Sequence, residues 1–160
     1  MKKIFLIIIF NLCLVNNSFS AGSSSSSSSS SNYDKAVKLI KSAKKFEKKD
    51  KIEKAKKNYE KAQKLLIVSN DKKPQNADTL NYLGFTTRKL GDFSNGEKYY
   101  LEGLAINPNH IGINEYLGEL YVATNRIELA KERLKVLEGC NCEEYKELKD
   151  VIEGNKTSKY

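Results

Sequence analysis

Several residue types that often carry chemistry are scarce in this 160-residue sequence, which has one histidine, no tryptophan and two prolines. His110 has no evident catalytic partner, and its place after Asn107-Pro108-Asn109 favours a role in a connector. The sequence also lacks a phosphate-binding glycine loop, a nucleophile elbow and a metal-binding pair of residues at helical spacing. These absences predict a protein that is not an enzyme and that uses no cofactor or metal.

Strand patterns are absent as well, since no stretch from Tyr33 onward alternates apolar and polar residues. Apolar residues instead recur at spacings of three and four, which is the period of a helix with one buried face. Helix-breaking segments separate the periodic stretches at Asp50, residues 69–76, Gly91-Asp92, residues 107–109, Asn125 and Gly139. The pattern therefore predicts an all-α fold.

The sequence contains one long apolar run, residues 4–15, which is interrupted only by Asn11. Two lysines precede the run, and the small-x-small sequence Ser18-Phe19-Ser20 follows it. This order predicts a secretory signal peptide over residues 1–20, cut near Ser20, and thus a periplasmic or secreted protein. An uncleaved N-terminal anchor is the alternative. No later run reaches the ~20 apolar residues that a membrane span requires.

A serine-rich segment separates the apolar run from the helical region, with an unbroken run from Ser23 to Ser31. Serine buries little apolar area and keeps the backbone solvated. Residues 21–32 are therefore predicted to form a flexible linker.

An internal repeat is visible in the second half of the chain, where the dipeptide Leu83-Gly84 recurs 34 residues later as Leu117-Gly118. A small residue follows each dipeptide on the next predicted helix, at Gly96 and Ala130. Small residues at these places let the two helices of a pair approach closely. One pair cannot cover its own apolar face, so the pairs must stack on one another.

With this period the chain resembles the tetratricopeptide-repeat (TPR) family, and small exported bacterial members of it in particular. The resemblance rests on Leu-Gly in the first helix, on Gly96 and Tyr100 in the second, and on the stop at Asn107-Pro108. It covers residues 33–137 and implies an α-solenoid of about three helix-turn-helix units with a C-terminal capping helix. It also implies a scaffold that binds a protein or peptide.

The TPR resemblance sets the predicted boundaries of the domain. The TPR domain is expected over residues 33–153, with units at about 36–76, 77–110 and 111–142, a capping helix at 143–153 and a disordered tail at 154–160. The first unit departs from the family pattern, because Lys49-Asp50 stands where a helix-ending glycine is usual.

A binding groove is implied by the same resemblance, since the first helix of each TPR unit lines the concave face. The predicted groove residues are Lys44, Asn81, Tyr82, Phe85, Arg88, Glu115, Tyr116, Glu119 and Val122. Mixed aromatic and polar groups suit an extended peptide or a partner helix. Ile40 and Glu115 stand where chaperone-binding relatives need lysine or arginine. We therefore expect no preference for a free C-terminal carboxylate.

Two cysteines, Cys140 and Cys142, flank Asn141 at the predicted turn before the capping helix. An oxidising compartment favours a disulfide between them, which would fix the turn. A ring closed across one residue is strained, and strained disulfides are more readily reduced. Two thiolates can also hold Cu(I). Disulfide exchange or copper handling is therefore an alternative function.

Basic residues are concentrated at the start of the helical region, where residues 32–64 carry thirteen lysines and five acids, a net charge of +8. Residues 65–160 carry thirteen basic and fifteen acidic side chains. A lysine stripe, defined as Lys35, Lys38, Lys41, Lys45 and Lys48, follows one predicted helix. The stripe is either a solvated face or a weak tether to anionic membrane or envelope components. Nucleic acid is not an expected partner.

Overall fold

Seven α-helices make up the computed structural model, which describes residues 31–156 and contains no strand within them. They are α1 (Asn32–Glu47), α2 (Ile52–Lys72), α3 (Ala77–Lys89), α4 (Phe93–Ile106), α5 (Ile111–Ala123), α6 (Ile127–Val136) and α7 (Glu143–Ile152). The prediction of an all-α fold is confirmed. The predicted signal peptide and almost all of the serine-rich linker lie outside the described residues.

The helices pack as consecutive pairs, α1 with α2, α3 with α4 and α5 with α6, and α7 packs on the last pair. Buried apolar side chains form two core clusters, one built from α1, α2 and α3 and the other from α4, α5 and α6. Leu148 of α7 packs directly on Gly118, where a Cβ would lie 2.5 Å from the leucine Cδ2. The final helix therefore closes the open end of the last pair. No helix in residues 31–156 is both long and apolar enough to cross a membrane.

Two glycines let α3 and α4 meet at backbone distance. A Cβ at Gly96 would lie 3.2 Å from the carbonyl oxygen of Gly84. A Cβ at Gly84 would lie 2.5 Å from the ring of Tyr100, which is completely buried. The small residues of the repeat thus position the first helix of the pair against the second.

The start of α1 differs from the predicted boundary. The Ser31 hydroxyl accepts a hydrogen bond from the Asp34 N–H, and the Asp34 carboxylate accepts one from the Ser31 N–H. This reciprocal pair satisfies two backbone donors at the start of the helix. Asn32 is therefore helical, and its assignment to the linker was wrong.

The end of the described chain also differs from the prediction. Asn155 and Lys156 donate their backbone N–H groups to the Asp150 carbonyl oxygen, at 2.9 and 3.2 Å. The Lys156 ammonium also pairs with Glu147 at 2.6 Å. Residues 154–156 therefore form a structured end to α7, whereas a disordered tail was predicted, because backbone and ionic partners lie in the preceding turns. Residues 157–160 lie outside the described part of the chain.

Each turn within a pair contains one residue in the left-handed conformation, namely Asp50 with φ 54°, Gly91 with φ 94° and Asn125 with φ 59°. Glycine adopts this conformation freely, and Asp and Asn adopt it at moderate cost. Asp50 therefore makes the same turn in the first pair as Gly91 makes in the second.

Replacing Asp50 by glycine should stabilise the protein, because it removes the steric cost of the left-handed conformation. We expect Asp50→Gly to raise the free energy of unfolding by about 0.5 kcal/mol in urea titrations, after the added entropy of the unfolded chain is subtracted. The matched change Gly91→Ala should lower it by about 1 kcal/mol. A destabilised Asp50→Gly variant would contradict this view of the turn.

Candidate functional site

A groove opens between the first helices of the three pairs and has a volume of about 510 Å³. We call it the α1–α3–α5 groove, and its lining residues are Lys44, Glu47, Lys48, Ile52, Phe85, Lys89, Glu115, Tyr116 and Glu119. Five of them, Lys44, Phe85, Glu115, Tyr116 and Glu119, belong to the predicted set. The TPR resemblance predicted them, because the family places these positions on the inner side of the first helices.

Aromatic rings form the floor of the groove. The rings of Phe85 and Tyr116 lie 4.9 Å apart between centroids. The Lys44 ammonium lies 4.6 Å from the centre of the Phe85 ring and donates a hydrogen bond to the Tyr116 hydroxyl at 3.0 Å. Burial raises the pKa of Tyr116, so its hydroxyl stays protonated. Lys44 of α1, Phe85 of α3 and Tyr116 of α5 are thus in mutual contact.

Arg88 lies beneath this floor, with only 1% of its surface exposed. Its guanidinium pairs with Glu119 at 3.2 Å and donates a hydrogen bond to the Tyr116 carbonyl oxygen. The same group lies 5.7 Å from the centre of the Tyr116 ring. Arg88 was predicted to line the groove, but the structure places it underneath, where it joins α3 to α5.

The opposite rim of the groove was not predicted. The Glu47 carboxylate pairs with Lys89 at 2.6 Å and accepts a hydrogen bond from the Tyr59 hydroxyl at 2.8 Å. Ile52 stands beside them with 55% of its surface exposed. Glu47 and Lys89 end α1 and α3, and Ile52 starts α2, so the spacing within a first helix does not reveal this rim.

Three carboxylates converge on the α5 side of the groove. One oxygen from each of Glu115, Glu119 and Glu147 lies within 4.8 Å of the other two, a spacing that a shared cation could bridge. We call this set the acidic wall. Burial, together with the charges of Glu119, Glu144 and Glu147, raises the pKa of Glu115 to about 8, while the charge of Lys44 opposes this shift. Glu115 is therefore mostly protonated at neutral pH.

Comparison with known proteins finds solved structures with a similar arrangement of helices. No protein-family model and no curated protein matches the sequence, but solved structures do. The first TPR domain of human RPAP3 is 22% identical with a TM-score of 0.56, covering 78% of this chain and 94% of that one. The first TPR of Spaghetti (RPAP3), bound to HSP90 peptide SRMEEVD, is 22% identical with a TM-score of 0.53, covering 78% and 96%.

A bacterial structure shows the same likeness. The type III secretion chaperone SycD of Yersinia enterocolitica, in complex with a peptide of the translocator YopD, is 17% identical with a TM-score of 0.53. The match covers 76% of this chain and 88% of that one. This chain has a TPR fold. The predicted α-solenoid is confirmed. At sequence identities this low, the similarity supports the fold and nothing further.

Besides Arg88, three further residues that were predicted for the groove do not line it. Asn81 is 93% buried, and its side-chain nitrogen lies 2.9 Å from where a Cβ of Gly112 would be, so it faces the contact between α3 and α5. Tyr82 packs against Tyr33, with 5.9 Å between ring centres. Val122 packs against the second core cluster. The period gives the side of a helix but not which neighbour covers it.

Cys140 and Cys142 form a disulfide at the junction between α6 and α7, with their Cα atoms 5.2 Å apart. Cys142 is also the residue that caps the start of α7. Neither cysteine lines the α1–α3–α5 groove. Disulfide exchange or copper handling by this pair stays a prediction.

The stability of the TPR domain should depend on the protonation of Glu115. The pKa of about 8 in the folded protein exceeds the ordinary value of 4.5, so the folded state binds this proton more tightly. This contribution is complete below about pH 4.5 and is lost as the pH rises through about 8. We expect unfolding free energy to fall by roughly 3 kcal/mol more in wild type than in Glu115→Gln over this range.

Urea titrations at about pH 5, 7 and 8.5 would measure the difference. The control is Glu102→Gln, which removes an exposed carboxylate from α4. Parallel pH profiles for wild type and Glu115→Gln would show that Glu115 is not the buried acid described above.

Proposed function

We propose that this protein is a non-catalytic, exported scaffold that holds a polypeptide segment in the α1–α3–α5 groove. The observation that carries the proposal is the groove itself, which combines an aromatic floor, an exposed isoleucine and charged residues of both signs. Pockets that bind side chains commonly join apolar walls to a few placed polar groups.

The groove is suited to binding without rearrangement. Lys44 holds the Tyr116 hydroxyl from above, and Arg88 holds the Tyr116 carbonyl and Glu119 from below. A preformed site avoids the entropy cost of ordering its own side chains when a ligand arrives. An apolar side chain of the partner would cover Ile52 and the Phe85 ring, while charged rims would orient its backbone.

Structures with the same fold support a peptide as the ligand. The Spaghetti (RPAP3) TPR is bound to an HSP90 peptide, and SycD is in complex with a peptide of YopD. This chain differs at the places where a carboxylate clamp would stand, since Ile40 is buried in the core and Glu115 is acidic. We therefore propose an internal segment as the ligand, without preference for a free C-terminal carboxylate.

The proposed setting is the periplasm or the exterior of the cell. The signal-like pattern in residues 1–20 supports it. A second proposed role is a weak contact with anionic envelope components through the lysine stripe, because all five of its residues are exposed, four on α1 and Lys48 just after it. Binding to anionic vesicles that falls steeply with salt would support this contact.

Substitution of the exposed isoleucine tests the groove without disturbing the core. Ile52→Gln should lower partner recovery about tenfold, equal to about 1.4 kcal/mol of binding free energy, because an apolar contact is lost. Leu101→Gln is the matched control, since Leu101 is 48% exposed on α4 and lies outside the groove.

The measurement is quantitative mass spectrometry of proteins that co-purify with each variant from cells. An equal loss of partners in both variants, or no loss in either, would contradict binding in the α1–α3–α5 groove.

A further inference from the structure

We propose that the acidic wall, formed by Glu115, Glu119 and Glu147, is a subsite for a lysine or arginine side chain of the bound segment. The inference rests on the proposed function, because a groove that holds no polypeptide has no side-chain subsite. It names the chemistry that such a segment must carry.

The first support is the distribution of charge within the wall. Glu119 pairs with Arg88 at 3.2 Å, and Glu147 pairs with Lys156 at 2.6 Å. The Glu115 carboxyl group has no hydrogen bond or ion pair with any residue of the described chain, although it is 92% buried and lines the groove. Buried charged groups are normally paired. Glu115 avoids an unpaired charge by keeping a proton, and it is therefore the one acid of the wall that is left to a partner from outside.

The second support is the aromatic floor next to the wall. The Lys44 ammonium lies 4.6 Å from the centre of the Phe85 ring and 5.3 Å from that of Tyr116, so these ring faces already hold an organic cation. An incoming ammonium or guanidinium at Glu115 would lie in the same groove, beside these rings.

A divalent metal ion fits the wall less well than a side-chain cation. A metal ion would need several of the carboxylates as ligands, yet Arg88 and Lys156 already pair with two of them. Glu115 supplies a single negative charge once it loses its proton, which matches a single positive charge. The groove volume of about 510 Å³ also accommodates a long side chain with its backbone.

The charged groups around Glu115 favour a cation in the same place. Glu119 lies on its own helix, Glu144 and Glu147 face it from α7, Lys44 faces it from α1, and Arg88 approaches from α3 by way of Glu119. Burial and the neighbouring acids raise the pKa of Glu115 to about 8. A bound cation would displace that proton. Affinity for a basic segment should therefore increase as the pH rises towards 8.

A random seven-residue peptide display library, selected on the full chain, tests the subsite. Wild type and the exposed control Glu102→Gln should enrich peptides that carry lysine or arginine at one fixed position. Glu115→Gln should enrich peptides without that basic residue. Replacing the basic residue of the best wild-type peptide by norleucine should weaken its binding about tenfold.

Binding of that peptide, measured by fluorescence polarisation, should strengthen about tenfold between about pH 6 and 8.5 in wild type and stay level in Glu115→Gln. A second variant, Lys44→Met, removes the cation that opposes Glu115 and should tighten the binding a few-fold at about pH 9, where Glu115 is largely ionised. It keeps the test decisive if Glu115→Gln fails to fold.

The failure of the subsite and the failure of the scaffold function give different results. Enriched peptides that bind in the groove with no basic residue would overturn the subsite and leave the scaffold function standing. Enrichment of no peptide at all would contradict both. Calcium binding that depends on Glu115, without selection of basic peptides, would show a metal site and overturn the proposal.

Discussion

The buried ion pair between Arg88 and Glu119 is the contact on which the groove depends. Charges removed from water are stable only when they are paired and hydrogen-bonded, and loss of one partner leaves the other uncompensated. Arg88 meets this requirement with Glu119 and the Tyr116 carbonyl, both on α5. It therefore fixes the first helix of the second pair against the first helix of the third, where the two core clusters meet.

The chemistry of the groove follows from that constraint. Arg88 pairs with Glu119 and Lys156 pairs with Glu147, whereas Glu115 forms no hydrogen bond or ion pair within residues 31–156 and keeps a proton at neutral pH. Lys44 and the aromatic floor limit the space above it. The fold thus produces a surface that is apolar at its floor, basic on the α1 side and acidic on the α5 side. This asymmetry would orient a bound segment.

The sequence predicted the features that depend on the local helical period. It did not predict the features that depend on contacts between helices far apart in the chain. Leu-Gly spacing gave the stacked pairs, and α3 and α5 begin at Ala77 and Ile111, where two of the predicted units start. The TPR resemblance placed Phe85 and Tyr116 in the groove. It did not reveal the depth of Arg88 or the rim at Ile52, because burial and helix ends depend on how neighbouring pairs pack. The cap at Ser31 was overlooked because the serine run indicates a linker.

A double-mutant cycle of Arg88→Met and Glu119→Leu, measured by urea unfolding, tests the central ion pair most directly. Arg88→Met alone should cost about 3–5 kcal/mol, because Glu119 is then buried without its cation. The double variant should cost at least about 2 kcal/mol less than the sum of the single changes. Additivity of the two changes within about 0.5 kcal/mol would show that α3 and α5 are joined by other contacts and would contradict the role assigned to Arg88.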